Sequence, residues 1–275
     1  MLSQINQVRE LSLDEVINYA PSIVTTVGSN NLSNIYSPIN TIDIIEMLSK
    51  DHWYPVKAEE VKAQKQEKKG FQKHLIRFQN DNLQFKDENI ECILTNSHDG
   101  LSSYQFMLGV FRFVCSNGLI VGDTFDKIRL RHVGLDQNMV EDASKSMLAY
   151  APQLNKNMSI MKQIELNPIE KDIFAESAKM LLFPKDELKD IPLKNSDLLV
   201  TRRYKDVTRT LWDTFNTVQE NVTKGKLRYY VKNEETGRTE RKRTRQIKAI
   251  DRNVSINRAL WNLADKMKEI KTAIN

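Results

Sequence analysis

Two stretches of the chain hold side chains whose types and spacing suit chemistry. Between residues 225 and 250, Lys226, Arg228, Tyr230 and Lys232 alternate with Leu227, Tyr229 and Val231, and Arg241, Arg243 and Arg245 alternate further on. A period of two is the signature of a strand with unlike faces. Asn233-Glu-Glu-Thr-Gly-Arg238 supplies the turn between the two runs, so the spacing predicts a basic β-hairpin. A ribbon of this kind neutralises phosphates with its guanidinium and ammonium groups and stacks bases on its tyrosines. The candidate nucleic-acid surface is therefore Lys226, Arg228, Tyr229, Tyr230, Arg241, Lys242, Arg243, Arg245 and Lys248, extended upstream by Arg202 and Arg203. Its bland alternative is a solvated excursion with charged ends.

The second stretch is Asn96-Ser-His-Asp-Gly-Leu-Ser-Ser-Tyr104. His98 and Asp99 are titratable neighbours beside Asn96, a combination able to bind a metal or supply a general base. One His and one Asp are too few for a metal site, and Asp-Gly is favoured in hairpin turns whether or not it does chemistry. A structural turn is the preferred reading, with His98 and Asp99 kept as minority catalytic candidates.

The elements that must position these residues follow from the hydrophobic pattern. Short helices are expected over Leu13–Tyr19 after Ser12 and over Ile42–Leu48 after a capping Thr41. Period-two segments at 53–56, 71–78, 90–95, 103–114, 119–121 and 127–133 predict five or six strands in an antiparallel meander over about residues 53–133, with turns at 96–100 and 116–118. Lysines crowd the connection between 57 and 69, as suits a solvated edge or hairpin tip. Helical spacing then takes over at 140–150 and 160–182, interrupted near Pro152 and Pro168, before a linker-like segment at 191–197. An amphipathic helix is expected over Tyr204–Val222, striped by Val207, Leu211, Phe215, Val218 and Val222, and a last helix over Ser255–Ile270. The fold class is α+β: the meander covered by helices, with a C-terminal helical region carrying the basic hairpin. The domain reading is a core over 1–190 and a C-terminal region over 191–275.

Composition bounds the partners. The chain has 275 residues, 40% hydrophobic and 28% charged, enough for a sizeable core. Its net charge of +5 is unevenly spread: residues 201–260 hold 16 Lys/Arg against 7 Asp/Glu, a net of +9, and the remainder holds 25 against 29. That asymmetry points to a polyanion, nucleic acid before an anionic membrane surface. Without an apolar run of spanning length or a leader-like N-terminus, a cytoplasmic protein is expected. Cys92 and Cys115 sit in apolar strand-like segments and read as buried reduced thiols. Walker-type glycine loops, dinucleotide-binding glycine fingerprints, paired helical histidines and Gly-x-Ser-x-Gly elbows do not occur, which lowers the common ATP-driven and hydrolase chemistries.

Several strings, taken in order, resemble a family. Asn96-Ser-His-Asp-Gly-x-Ser-Ser-Tyr104, Arg112-Phe-Val-Cys-Ser-Asn-Gly-Leu-x-Val-Gly122 and Arg131-His-Val-Gly134 are similar to the phage/plasmid-like protein family of unknown function found on enterobacterial prophages and conjugative plasmids. The closing segment agrees through Arg202-Arg, Asp206, Leu211-Trp212, Asn216-x-x-Gln-Glu-Asn221, Gly225, Arg245 and Asn257-Arg-Ala-Leu-Trp261. Family members often carry a Gly-Gly pair where this chain has Lys224-Gly225. The resemblance implies a mobile-element setting and no assigned activity. Single-strand annealing recombinases resemble the chain in architecture only.

The expectation drawn from all this is a nucleic-acid-binding protein of a phage or plasmid. Its most concrete form is an ATP-independent single-stranded DNA binding and annealing protein, homo-oligomeric as a ring or filament, without cofactor and away from membranes. The alternatives are a metal-assisted hydrolase or nuclease using Asn96, His98 and Asp99, with a divalent cation, and an interaction protein acting on a host defence system.

Overall fold

A computed structural model describes residues 9–26, 40–63, 66, 69–84, 88–99, 102–112, 118–120, 129–130, 137–182, 192–202, 209–233 and 235–274. The chain divides into two compact units, Met1–Pro152 and Gln153–Asn275. No helix among the described residues is long and apolar enough to cross a membrane.

The N-terminal unit is an antiparallel meander. Strands β1 (Trp53–Glu60), β2 (His74–Gln84), β3 (Glu88–Asn96), β4 (Tyr104–Arg112) and β5 (Gly118–Ile120) pair in sequence order. A sixth strand, β6 (Arg129–Leu130), departs from the expected succession, since it pairs with β4 and not with β5. Strand β5 covers only Gly109–Phe111 of β4, so the edge at Tyr104 and Gln105 remains for β6. The turn expected at 116–118 lies outside the described residues except for Gly118. Edge strand β1 carries Pro55, where a missing N–H is tolerated, and its register shifts between Pro55 and Lys57. The backbone N–H of Leu11 donates to the Pro55 carbonyl at 2.7 Å.

Alternation along β2 and β3 explains the core. Ile76, Phe78, Cys92, Leu94, Phe106, Leu108 and Val110 share one face and are buried. The other face is also closed, and there Glu91 is held by Arg77, Nε to Oε2 at 2.6 Å and Nη2 to Oε1 at 2.9 Å, and by Gln79 Nε2 at 2.9 Å. Cys92 is a free buried thiol, as expected, and burial pushes its ionisation upward. Cys115 lies outside the described residues.

Helices flank this sheet. In α1 (Leu13–Tyr19), Ser12 and Glu15 form a reciprocal capping box. Helix α2 (Thr41–Lys50) starts one residue earlier than expected, because Asn40 is the cap, accepting from the Ile42 N–H at 3.0 Å. Helix α3 (Gln137–Gln163) runs through Pro152 without the expected interruption. A proline there removes one backbone hydrogen bond, but Met147, Ala151, Leu154 and Met158 bury their side chains along the same helix. Trp53 Nε1 donates to Ser144 Oγ at 3.1 Å and ties α3 to β1.

The C-terminal unit is helical with a two-stranded ribbon. Helix α4 (Pro168–Leu182) begins with proline at its first position, in keeping with the boundary expected at Pro168. Part of the linker-like segment forms a single turn, α5 (Asn195–Leu198). Helix α6 (Leu211–Lys224) is shorter than the expected Tyr204–Val222, because Thr210 caps it, accepting from the Asp213 N–H at 3.1 Å; residues 203–208 lie outside the described residues. Leu211, Phe215, Val218 and Val222 of the expected stripe are buried. Helix α7 (Ile250–Ile274) begins before the expected Ser255. Trp212, Phe215 and Trp261 form an aromatic cluster with centroids 5.7 to 6.5 Å apart.

Candidate nucleic-acid interface

The ribbon is mounted on the end of α6. Gly225 caps that helix with φ 59°, and Lys226 follows with φ 63°. A Cβ on Gly225 would collide with the Arg245 carbonyl, so only glycine lets the outgoing and returning chains meet this closely. Backbone bonds hold the same junction: Lys226 N–H to Thr244 O at 2.8 Å, Thr244 N–H to Leu227 O at 2.9 Å and Ile247 N–H to Thr223 O at 3.0 Å. Of Lys224-Gly225, the glycine is the residue that this close approach requires. Lys224 ends the helix and pairs with Glu220 at 2.5 Å.

From that mount rise β7 (Arg228–Lys232) and β8 (Thr239–Arg243). The connection is stiffened by Asn233, whose Oδ1 accepts from the N–H groups of Glu235 and Thr236 at 3.0 Å each, and by Gly237 at φ 68°. Residues directly opposite on an antiparallel pair share a face. The register sets Arg228 opposite Arg243, Tyr230 opposite Arg241 and Lys232 opposite Thr239. This face is exposed, with Tyr230 60% accessible at its centre, and holds no carboxylate. Tyr229, opposite Lys242, and Val231, opposite Glu240, occupy the other face, where Tyr229 and Val231 are half-buried.

Electrostatics separates the two faces. Glu240 accepts from Asn233 Nδ2 at 2.7 Å and lies 3.9 Å from Lys242 Nζ, so acid and base offset each other there. On the Tyr230 face, Arg228, Lys232, Arg241 and Arg243 make no ion pair among the described residues. Like charges directly opposite destabilise a bare ribbon, and Arg228 facing Arg243 is that arrangement. An anion lying over this rung would convert the repulsion into two charge-assisted contacts.

Not every expected residue joins the surface. Lys226 and Arg245 lie beyond the strand ends, where the positive φ at Lys226 breaks the alternation that would have aligned them with Arg228 and Arg243. Lys242 is on the other face, and Lys248 is exposed in the coil before α7. Arg202 reaches the mount, donating from Nε to Asn221 Oδ1 at 2.7 Å and from Nη2 to the Gly225 carbonyl at 2.5 Å. Asn221 in turn donates to the carbonyls of Leu198 and Val200 at 2.8 Å each. Arg203 lies outside the described residues.

The His98 turn is built differently. His98 is fully buried, so no face of its ring is open to a substrate, and its centroid is 5.7 Å from that of His74. Asn96 Nδ2 is 3.5 Å from His98 Nε2, while Asp99 accepts from Ser97 Oγ at 2.6 Å. The sequence does not single out His74: it sits opposite Asn96 in the sheet, with Ser22 Oγ 2.9 Å from Nδ1 and Thr41 Oγ1 3.1 Å from Nε2. Spacing carries no signal for that cluster, because its members come from the 3-10 turn Pro21–Val24, α2 and two strands. Among the described residues, no three His, Cys, Asp or Glu side chains converge to hold a metal.

Comparison with known proteins places the chain. No solved structure matches it. It is 31% identical over 259 residues to the UPF0380 protein YfjQ of Escherichia coli K12 and 30% identical over 259 residues to the UPF0380 protein YafZ of the same organism. In both cases the match covers 94% of this chain and 92% of the relative. The model of a domain of unknown function, DUF932, matches residues 30–261. The chain belongs to the DUF932 family.

Proposed function

We propose that the protein binds nucleic acid through the β7–β8 ribbon, and that it holds single-stranded DNA and promotes annealing without ATP. The observation that carries this reading is the acid-free exposed face on which Arg228, Lys232, Arg241 and Arg243 surround Tyr230. Backbone neutralisation by cations leaves base edges available for pairing, which annealing requires. The net charge of +9 over residues 201–260 adds a long-range field of the same sign. In this reading several copies assemble as a ring or filament, since one short ribbon holds little strand, and the setting is a phage or plasmid.

The test is binding of a labelled single-stranded oligonucleotide across a salt series. Affinity should fall steeply and log-linearly with salt, because neutralised phosphates release counterions. Absent binding, or binding indifferent to salt, would overturn the proposal. Pairing of complementary oligonucleotides, followed by fluorescence, should be accelerated by the protein without added nucleotide.

A further inference from the structure

We infer that a single-stranded polynucleotide lies lengthwise along the ribbon, one phosphate to each cross-strand rung, with an unpaired base stacked on Tyr230. This rests on the nucleic-acid reading above and specifies its ligand. Same-face residues along a strand are roughly 7 Å apart, twice the rise per residue, a repeat comparable with successive phosphates on an extended strand. Arg228 with Arg243, Tyr230 with Arg241, and Lys232 with Thr239 therefore present three rungs at the pitch of such a backbone. Every rung offers at least one cation, and no acid interrupts them.

The position of Tyr230 selects the strand's form. It occupies the middle rung, 60% exposed and opposite Arg241, so its ring and that guanidinium are offered together to a base. A duplex keeps its base faces stacked inside and has none to offer. Tyr229, itself half-buried, is on the other face opposite Lys242 and does not take this part.

The experiment compares full-length protein, Tyr230→Leu, Tyr230→Phe and Tyr229→Leu on oligo-dT, oligo-U and a duplex of matched length, by fluorescence anisotropy. At least one single strand should bind more tightly than the duplex. Tyr230→Leu should weaken that single strand roughly tenfold or more while leaving the duplex unchanged, and Tyr230→Phe should restore it. Lys232→Gln, which removes the sole cation of its rung, should lower the salt slope by about 0.7, one phosphate contact on a single strand. Equal binding of strand and duplex with Tyr230→Leu neutral would overturn the lengthwise arrangement and leave nucleic-acid binding standing. Failure of every probe to bind would remove both.

Discussion

The Arg202 guanidinium donates to the Gly225 carbonyl at 2.5 Å, and so joins the segment between α5 and α6 to the point where the ribbon leaves its helix. With Nε on Asn221 Oδ1 at 2.7 Å, two of its donors are committed to this mount. An arginine used this way orients the ribbon, whereas Arg241 and Arg243 present theirs to solvent.

These roles separate by salt dependence. Under the proposed nucleic-acid binding, Arg202→Ala should weaken oligonucleotide affinity with the slope of log affinity against log salt unchanged, because no phosphate contact is removed. Arg241→Gln should reduce that slope by about 0.7. Equal loss of slope in both variants would place Arg202 among the phosphate contacts.

Gly225→Ala should destabilise the C-terminal unit. The left-handed conformation alone costs about 1–3 kcal/mol for a residue with a Cβ, and the collision with the Arg245 carbonyl adds to it. Urea unfolding monitored by tryptophan fluorescence measures the change, and an unaltered midpoint would show that the two chains separate without penalty.

Glu91 is buried with Arg77 and Gln79 as its partners. Removing one member of a buried pair strands the other charge, so Glu91→Ala should lower stability by about 3–5 kcal/mol. Arg77→Met with Glu91→Leu removes both charges and should recover most of that loss. Denaturant titration of the two variants tests this.

Lys271 Nζ donates to Glu170 Oε1 at 2.8 Å, linking the last turn of α7 to the first turn of α4. This bond, followed by the N–H of Asn167, holds the Glu170 carboxyl below its ordinary 4.5. A carboxylate with a depressed folded value adds stability above its unfolded value and loses it as pH falls through the folded one. The side chains are about a quarter exposed, so the contribution is about 0.2–1 kcal/mol. Lys271→Ala should raise the Glu170 titration midpoint by NMR and reduce stability at neutral pH, with the deficit shrinking below the carboxylate range.

A chemical-shift titration of Glu15 gives a sharper reading of the same effect. Arg9, and then the Ser12 N–H, hold Glu15 at about 2. Arg9→Ala should move the midpoint upward, towards the ordinary 4.5.

Local pattern carries much of the architecture. Alternation at 90–95 and 103–114 locates β3 and β4, and the Asn233–Arg238 turn locates the ribbon, because strand faces and turns are encoded by neighbours in sequence. Helix boundaries are less legible. Pro152 reads locally as a stop, yet the helix continues, since proline's local penalty is outweighed by apolar side chains packed along it. Thr210 starts α6 several residues later than periodicity implies, because the cap and not the stripe sets the boundary.

The sequence by itself determined the α+β class, the basic ribbon and the tyrosine–arginine alternation that gives it a face. Tertiary structure alone decided which members act together. The positive φ values at Gly225 and Lys226 take Lys226 out of the row, and register sets Arg228 against Arg243 and Tyr230 against Arg241. Long-range contacts turn Arg202 towards the mount and bury His98 beside His74. Composition and spacing report which groups a segment carries, but burial and hydrogen-bond partners are supplied by residues far away in sequence, and those decide which groups remain open to a ligand.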